Sequence, residues 1–128
     1  MDSTDLTVTE ARAAMVRGEL GSTDYVQALQ ARCDAAQAVN AWVTRDPDAL
    51  RRAAAQADAS GATRDAARAL ANIPVALKDN IDTVALPTSG ATPALMGRTP
   101  PADAPVARAL FDAGALLAQL GYAQHLAR

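Results

Sequence analysis

Among the groups in this sequence that could move a proton or attack a carbonyl, Lys78 stands apart, because it is the sole lysine beside eleven arginines. Arginine stays protonated at any working pH, whereas a lysine amine can be desolvated until it gives up its proton, as a general base must. A codon bias toward arginine would leave the same tally, and a lysine at a strand end is commonly a surface residue with a snorkelling stem. The setting is what favours chemistry. Lys78 follows the apolar start of Ile73-Pro-Val-Ala-Leu-Lys-Asp-Asn-Ile-Asp82. Read as a strand, alternation sends Ile73, Val75, Leu77 and Asp79 to one face and Pro74, Ala76, Lys78 and Asn80 to the other. Small neighbours therefore leave room around the lysine stem.

Other reactive groups are fewer. Cys33 falls on an apolar helical stripe and reads as a buried, inert thiol. His125 lies close to the C-terminal residue, where chains fray. One histidine and one cysteine far apart make no metal-ligand cluster, and no cofactor is called for. The serines are Ser3, Ser22, Ser60 and Ser89, none in a glycine-flanked pair. Ser89, in Thr88-Ser-Gly-Ala-Thr92, reads as part of an ordinary turn before an oxyanion or phosphate cradle, since a single glycine carries little weight.

The elements that must position Lys78 follow from local signals. Thr7-Val-Thr-Glu10 has the form of a capping box, and Val8, Ala11 and Met15 behind it predict a helix to about Arg17. Gly18 and Gly21 bracket a turn, after which Ser22 or Thr23 is placed to cap a second helix with Val26, Leu29, Cys33 and Ala36 on one stripe. Asn40 to Thr44 reads as a brief strand. Asp46 is placed to cap, and Pro47 to open, a third helix that continues to about Ala59 before Ser60-Gly61 closes it. Residues 62–72 show no clear stripe and read as a weak helix or loop.

Residues 83–105 hold five prolines and two glycines. A connection longer than about 12–15 residues is usually functional or disordered, so its place after the lysine strand favours a site nearby. Asp103 then has the position of a cap for a fourth helix through Ala113, ended by Gly114. Ala115 to Leu120 is strand-like, a helix-to-strand passage of the kind that builds parallel sheets. The fold class expected is α/β, with helices packed on a partial mixed β-sheet and the lysine strand inside it.

Totals narrow the field further. The 128 residues make one domain's worth of chain, 1–128, divided into a helical part (1–39), the lysine strand with its loop (73–105) and a helix–strand unit (104–120). Half the residues are apolar but most of these are alanine, so the core is expected to be thin and the isolated chain marginally stable. A net charge of -2, spread without blocks, argues against nucleic-acid and membrane partners. One cysteine, with no apolar run near the ~18 residues of a membrane span, sets the cytoplasm as the expected compartment.

With these residues in view, the sequence resembles the N-terminal part of the amidase signature family. The segments that carry the likeness are Leu6-Thr-Val-Thr-Glu-Ala-Arg12, Asn40-Ala-Trp-Val43, Ile73 to Asp82, Leu86-Pro-Thr88, Thr92-Pro-Ala-Leu95 and Asp103-Ala-Pro-Val106, in that order. Within that family it is similar to bacterial indoleacetamide- and mandelamide-type amide hydrolases.

The resemblance implies hydrolysis of a carboxamide to a carboxylate and ammonia by a serine nucleophile, a second serine in a cis peptide that bridges to it, and a lysine base. The lysine matching that role is Lys78. To draw a proton through the bridging hydroxyl it must be uncharged, which burial promotes; Asp79 beside it opposes this, although alternation turns Asp79 to the other face. The family's Gly- and Ser-rich segment lies past the residues matched here, and Ser89 is no substitute without a bridging serine and oxyanion donors. Where relatives carry a second lysine and a glutamate, this chain has Ala118-Gln-Leu-Gly-Tyr-Ala-Gln-His125. The expectation is a truncated N-terminal piece, inactive alone, whose substrate is a small-molecule amide once the missing region completes it. The competing expectation is a non-catalytic interaction module that docks on a partner chain, with self-association through exposed sheet edges.

Overall fold

The structure, a computed structural model, describes residues 2–121. A short 3-10 turn at Ser3–Asp5 precedes α1 (Val8–Arg17), whose capping box forms as the sequence predicts: the Thr7 hydroxyl accepts from the Glu10 N–H, and the Glu10 carboxylate accepts from the Thr7 N–H at 2.8 Å. Gly18, at φ 75°, ends the helix in the left-handed conformation that glycine adopts without a steric cost. Next come α2 (Ser22–Ala35), β1 (Trp42–Arg45) and α3 (Pro47–Ser60), the last capped by Asp46 with Pro47 in its first turn. After a 3-10 turn at Ala62–Arg64, the chain enters β2 (Pro74–Lys78), crosses through α4 (Pro105–Asp112) and returns as β3 (Leu116–Gly121).

The sheet runs β1-β3-β2, with β3 antiparallel to β1 and parallel to β2. It is mixed, as expected, but the lysine strand is not inside: β2 takes an edge and β3 the centre. The reason is that β3 pairs along both of its sides, reaching β1 through its later residues while matching β2 from Leu116 to Gly121. Helices cover both faces. Leu77 and Leu117 pack with Ala107, Leu110 and Phe111 of α4, while Leu116 and Ala118 meet Val26 of α2 and Leu50 and Ala54 of α3.

Of the thirteen buried apolar residues among those described, six are alanines. That core is thin, as expected, so polar clamps between elements carry much of the specificity. Two of these clamps were not foreseen. The expected caps of α2, Ser22 and Thr23, do not cap it; Gly21 holds the cap position and Asp58 of α3 supplies the carboxylate, accepting from the Ser22 N–H at 2.9 Å and the Thr23 N–H at 2.8 Å. Arg12, only 8% exposed, donates to the carbonyls of Thr63 at 3.0 Å and Asp65 at 2.7 Å, which pins the irregular stretch before β2 to α1.

Asp58 makes a pH-dependent contribution. Burial pushes its carboxyl up, but hydrogen bonds from Thr63, Thr23 and Ser22 outweigh that and hold it below the ordinary Asp value. A folded value below the unfolded one means that the stabilisation is present above about pH 4 and fades as pH falls through the folded value. Asp58→Ala is expected to cost about 1–2 kcal/mol near neutrality, as loss of a helix cap does. In urea titrations at pH 7 and pH 3, the gap between wild type and variant should shrink at the lower pH; an equal gap at both would contradict the assignment.

Candidate active site

Lys78 is the last residue of β2, opposite Gly121 of β3 in the register. The predicted alternation is visible in the burial: Ile73, Leu77 and Asp79 are buried, whereas Ala76, Lys78 and Asn80 are exposed. Lys78 is therefore not covered by the described residues. The expectation that a working amine needs burial is not met by these residues alone, because α2 and α3 cover the sheet near Leu116 and Ala118.

Two concavities flank that strand. A cavity of about 210 Å³ lies on the Pro74 and Ala76 side of the sheet, lined also by Leu29, Cys33, Trp42 and Leu50. Its polar rim is already engaged: Gln30 donates to the Pro47 carbonyl, and Arg45 pairs with Asp34 at 2.8 Å. Cys33 is half-buried there and not fully buried as its stripe implied. Beyond the lysine, an open cleft of about 510 Å³ is bordered by Asn80, Asp82, Arg98, Asp103 and Pro105. Lys78 lines neither of them.

The long connection after β2 is ordered by a series of ties back to the strand end. Arg98 donates to both carboxylate oxygens of Asp82, at 2.7 and 3.0 Å, and this hydrogen bonding holds the Asp82 carboxyl below its ordinary range. The Asp82 carbonyl accepts from the Ala104 N–H at 2.8 Å. Asp103 does not cap α4 as expected; Ala104 is at the cap position, and the Asp103 carboxylate accepts from the Val84 N–H at 2.8 Å instead. Asp103 thus closes the loop over nineteen residues, a use that its local sequence does not announce.

Asp79 is the residue that the sequence reading undervalued. It is 1% exposed, and its carboxylate accepts from the Ser89 N–H at 2.9 Å and in a very short contact from the Ser89 hydroxyl. The signal was present, since alternation placed a carboxylate on the buried face and a buried charge requires partners. The hydroxyl-bearing turn ten residues later was the available supplier. Ser89 is accordingly engaged as a structural donor. Ser22 is buried at the start of α2, Ser60 donates to the Ala57 carbonyl, and Ser3 opens the first turn. His125 lies outside the described residues.

Helices on both faces of a mixed sheet, with a β–α–β crossover whose first strand delivers the one lysine at its C-terminal end, define a layered α/β unit. The chain belongs to the amidase signature family: the family model described as Amidase matches residues 24–119. Over 100 residues it is 43% identical to the indoleacetamide hydrolase of Rhizobium radiobacter, covering 78% of this chain and 21% of that one. It is 37% identical over 118 residues to a glutamyl-tRNA(Gln) amidotransferase subunit of Cereibacter sphaeroides, covering 91% and 23%. The native peptide amidase of Stenotrophomonas maltophilia superposes with a TM-score of 0.80 at 33% identity, over 91% of this chain and 24% of that one. The chain spans about a fifth to a quarter of the length of these proteins. Among the described residues, no helix is long and apolar enough to cross a membrane.

Proposed function

We propose that this chain is the lysine-bearing N-terminal part of an amide hydrolase, with Lys78 as the base. The reaction is carboxamide plus water to carboxylate plus ammonia. In it, a serine hydroxyl attacks the carbonyl carbon while its proton passes through the bridging serine to the lysine amine; that proton then leaves with the nitrogen, and water releases the acyl group. Both serines come from the part of the family's length that this chain does not span. The observation that carries the reading is the Ile73–Asp82 segment, folded as a strand that ends on the sole lysine within the family match. An exposed amine is consistent with it, since the part of the family's length that this chain does not span has a face to cover. Likeness to the indoleacetamide hydrolase supports an arylacetamide as the substrate, and the single cysteine supports a cytoplasmic setting.

By itself the chain is expected to release no ammonia from indoleacetamide, because a lysine without the nucleophile and oxyanion donors lacks most of the transition-state stabilisation. Ammonia assays on the purified polypeptide check this. Turnover that disappears in Lys78→Met would overturn the assignment of the serines to another region.

A second reading, an interaction module, draws on the outer edges of β1 and β2, which no strand pairs among the described residues, and on exposed Val39 and Met96. Unpaired edges and apolar patches invite association. Light scattering separates the two readings: a compact monomer is the result for a self-contained module, and self-association of the folded chain through its uncovered edges the result for part of a larger fold.

A further inference from the structure

The proposed chemistry of Lys78 makes no use of the neighbouring carboxylate, yet Asp79 is among the most buried side chains described, at 1% exposure. A polar group held that deeply persists only where hydrogen bonds replace its water. All of its side-chain partners lie in one turn: the Ser89 N–H at 2.9 Å, the Ser89 hydroxyl, and the Ala91 N–H at 3.4 Å. The main chain joins the same turn, because the Asp79 carbonyl accepts from the Gly90 N–H at 2.7 Å. One residue earlier, the Lys78 carbonyl accepts from the Ile81 N–H at 3.0 Å. Ladder bonding to β3 thus gives way, at Lys78, to local bonds that turn the chain.

A second, independent sign is backbone strain. Ala91 sits at φ 58°, a left-handed conformation that a Cβ makes costly. Such a residue persists where its surroundings over-determine it, and here its N–H is gripped by both Asp79 and Ser89, the latter at 3.3 Å.

We infer that Asp79 and Ser89 form a clamp that positions Lys78. It ends β2 at residue 78 and fixes the root of the lysine side chain, while alternation keeps the carboxylate on the opposite face from the amine. The inference rests on reading Lys78 as the base, for which placement matters: a misplacement of about 1 Å in a catalytic geometry costs on the order of 10²-fold in rate. Asp79 and Ser89 are positioning residues, since neither is placed to touch substrate.

Amide hydrogen exchange on the full 128-residue chain tests the clamp without any turnover. Ser89→Ala removes one donor and leaves the carboxylate its backbone partners, so the fold should survive. Exchange at Ile81 and Gly90 is expected to rise by about tenfold or more, as local opening without global unfolding produces, with Met15 and Val26 in the core unchanged. The lysine is unique, so selective labelling gives one Lys78 amide signal, which should broaden or shift in the same variant. Asp79→Asn should enlarge both effects. Exchange that stays as in wild type at Ile81 and Gly90, or that rises equally at Met15 and Val26, overturns the proposal: the first shows no clamp and the second a merely structural one. Because nothing here depends on catalysis, the clamp can fail while Lys78 stands as the base, and the reverse.

Discussion

Replacing Lys78 by Met is expected to lower kcat on indoleacetamide by about 10²–10⁴-fold, the range that removal of a positioned acid–base group produces, when this chain is fused in place of the matching segment of the Rhizobium radiobacter indoleacetamide hydrolase. KM should change little, since the amine acts on the proton and not on the ground-state amide. Lys78→Arg should be nearly as damaging. Arginine keeps the positive charge and much of the length, but it does not give up its proton, so it separates a base from a mere cation at the site. Steady-state ammonia release by the three fusions is the measurement. Retained activity in Lys78→Arg would assign the residue an electrostatic role.

Gly114→Ala is expected to be the most destabilising single-methyl substitution in the described fold. Gly114 sits at φ 98°, between α4 and β3, and a Cβ built there lies 2.7 Å from the Ala71 Cα and 3.0 Å from its N. Those are main-chain atoms, so no side chain can swing aside. The contact is close because two hydrogen bonds draw the segments together: the Leu70 N–H donates to the Ala113 carbonyl at 2.9 Å, and the Asn72 N–H to the Gly114 carbonyl at 2.8 Å. Backbone strain of about 1–3 kcal/mol and overpacking of about 1–3 kcal/mol together amount to roughly 3 kcal/mol or more. Against a total stability of about 5–15 kcal/mol, that is a large share for a fold with an alanine-rich core. The urea midpoint should fall by about 1 M or more at the usual slope of roughly 1–3 kcal/mol per M. An unchanged midpoint would mean that the two segments are not held this close. The same contact bears on β2, because residues 70–73 lead directly into that strand.

What could be read from the sequence divides by the range of the interaction. The Thr7–Glu10 box and the Asp46–Pro47 start of α3 are short-range signals, complete in the local sequence, and both form as written. The alternation that separates Lys78 from Asp79 is equally local and holds. The failures are those where a residue with an obvious local use is taken by a distant partner. Ser22 and Thr23 lose the capping role to Asp58, thirty-five or more residues away, and Asp103 is drawn to Val84 across nineteen. Arg12 bonds carbonyls more than fifty residues on, with nothing in its own helix to mark it. Strand order failed for the same reason: β3 wins the centre through pairings with β1 and β2 that no local propensity encodes. At the end of β2, the strand over Pro74–Lys78 was legible in its own segment, whereas the Asp79–Ser89 hydrogen bonds needed two facts joined across a turn, a buried-face carboxylate and a hydroxyl ten residues later.

Amine rescue tests the central claim most directly. In the fusion carrying Lys78→Ala, added ethylamine should restore ammonia release from indoleacetamide in proportion to its free-base concentration, while tetramethylammonium, which has no proton to exchange, should restore none. Turnover by Lys78→Ala at the rate of the unmodified fusion, with no amine added, would show that the proton goes elsewhere and would contradict the account.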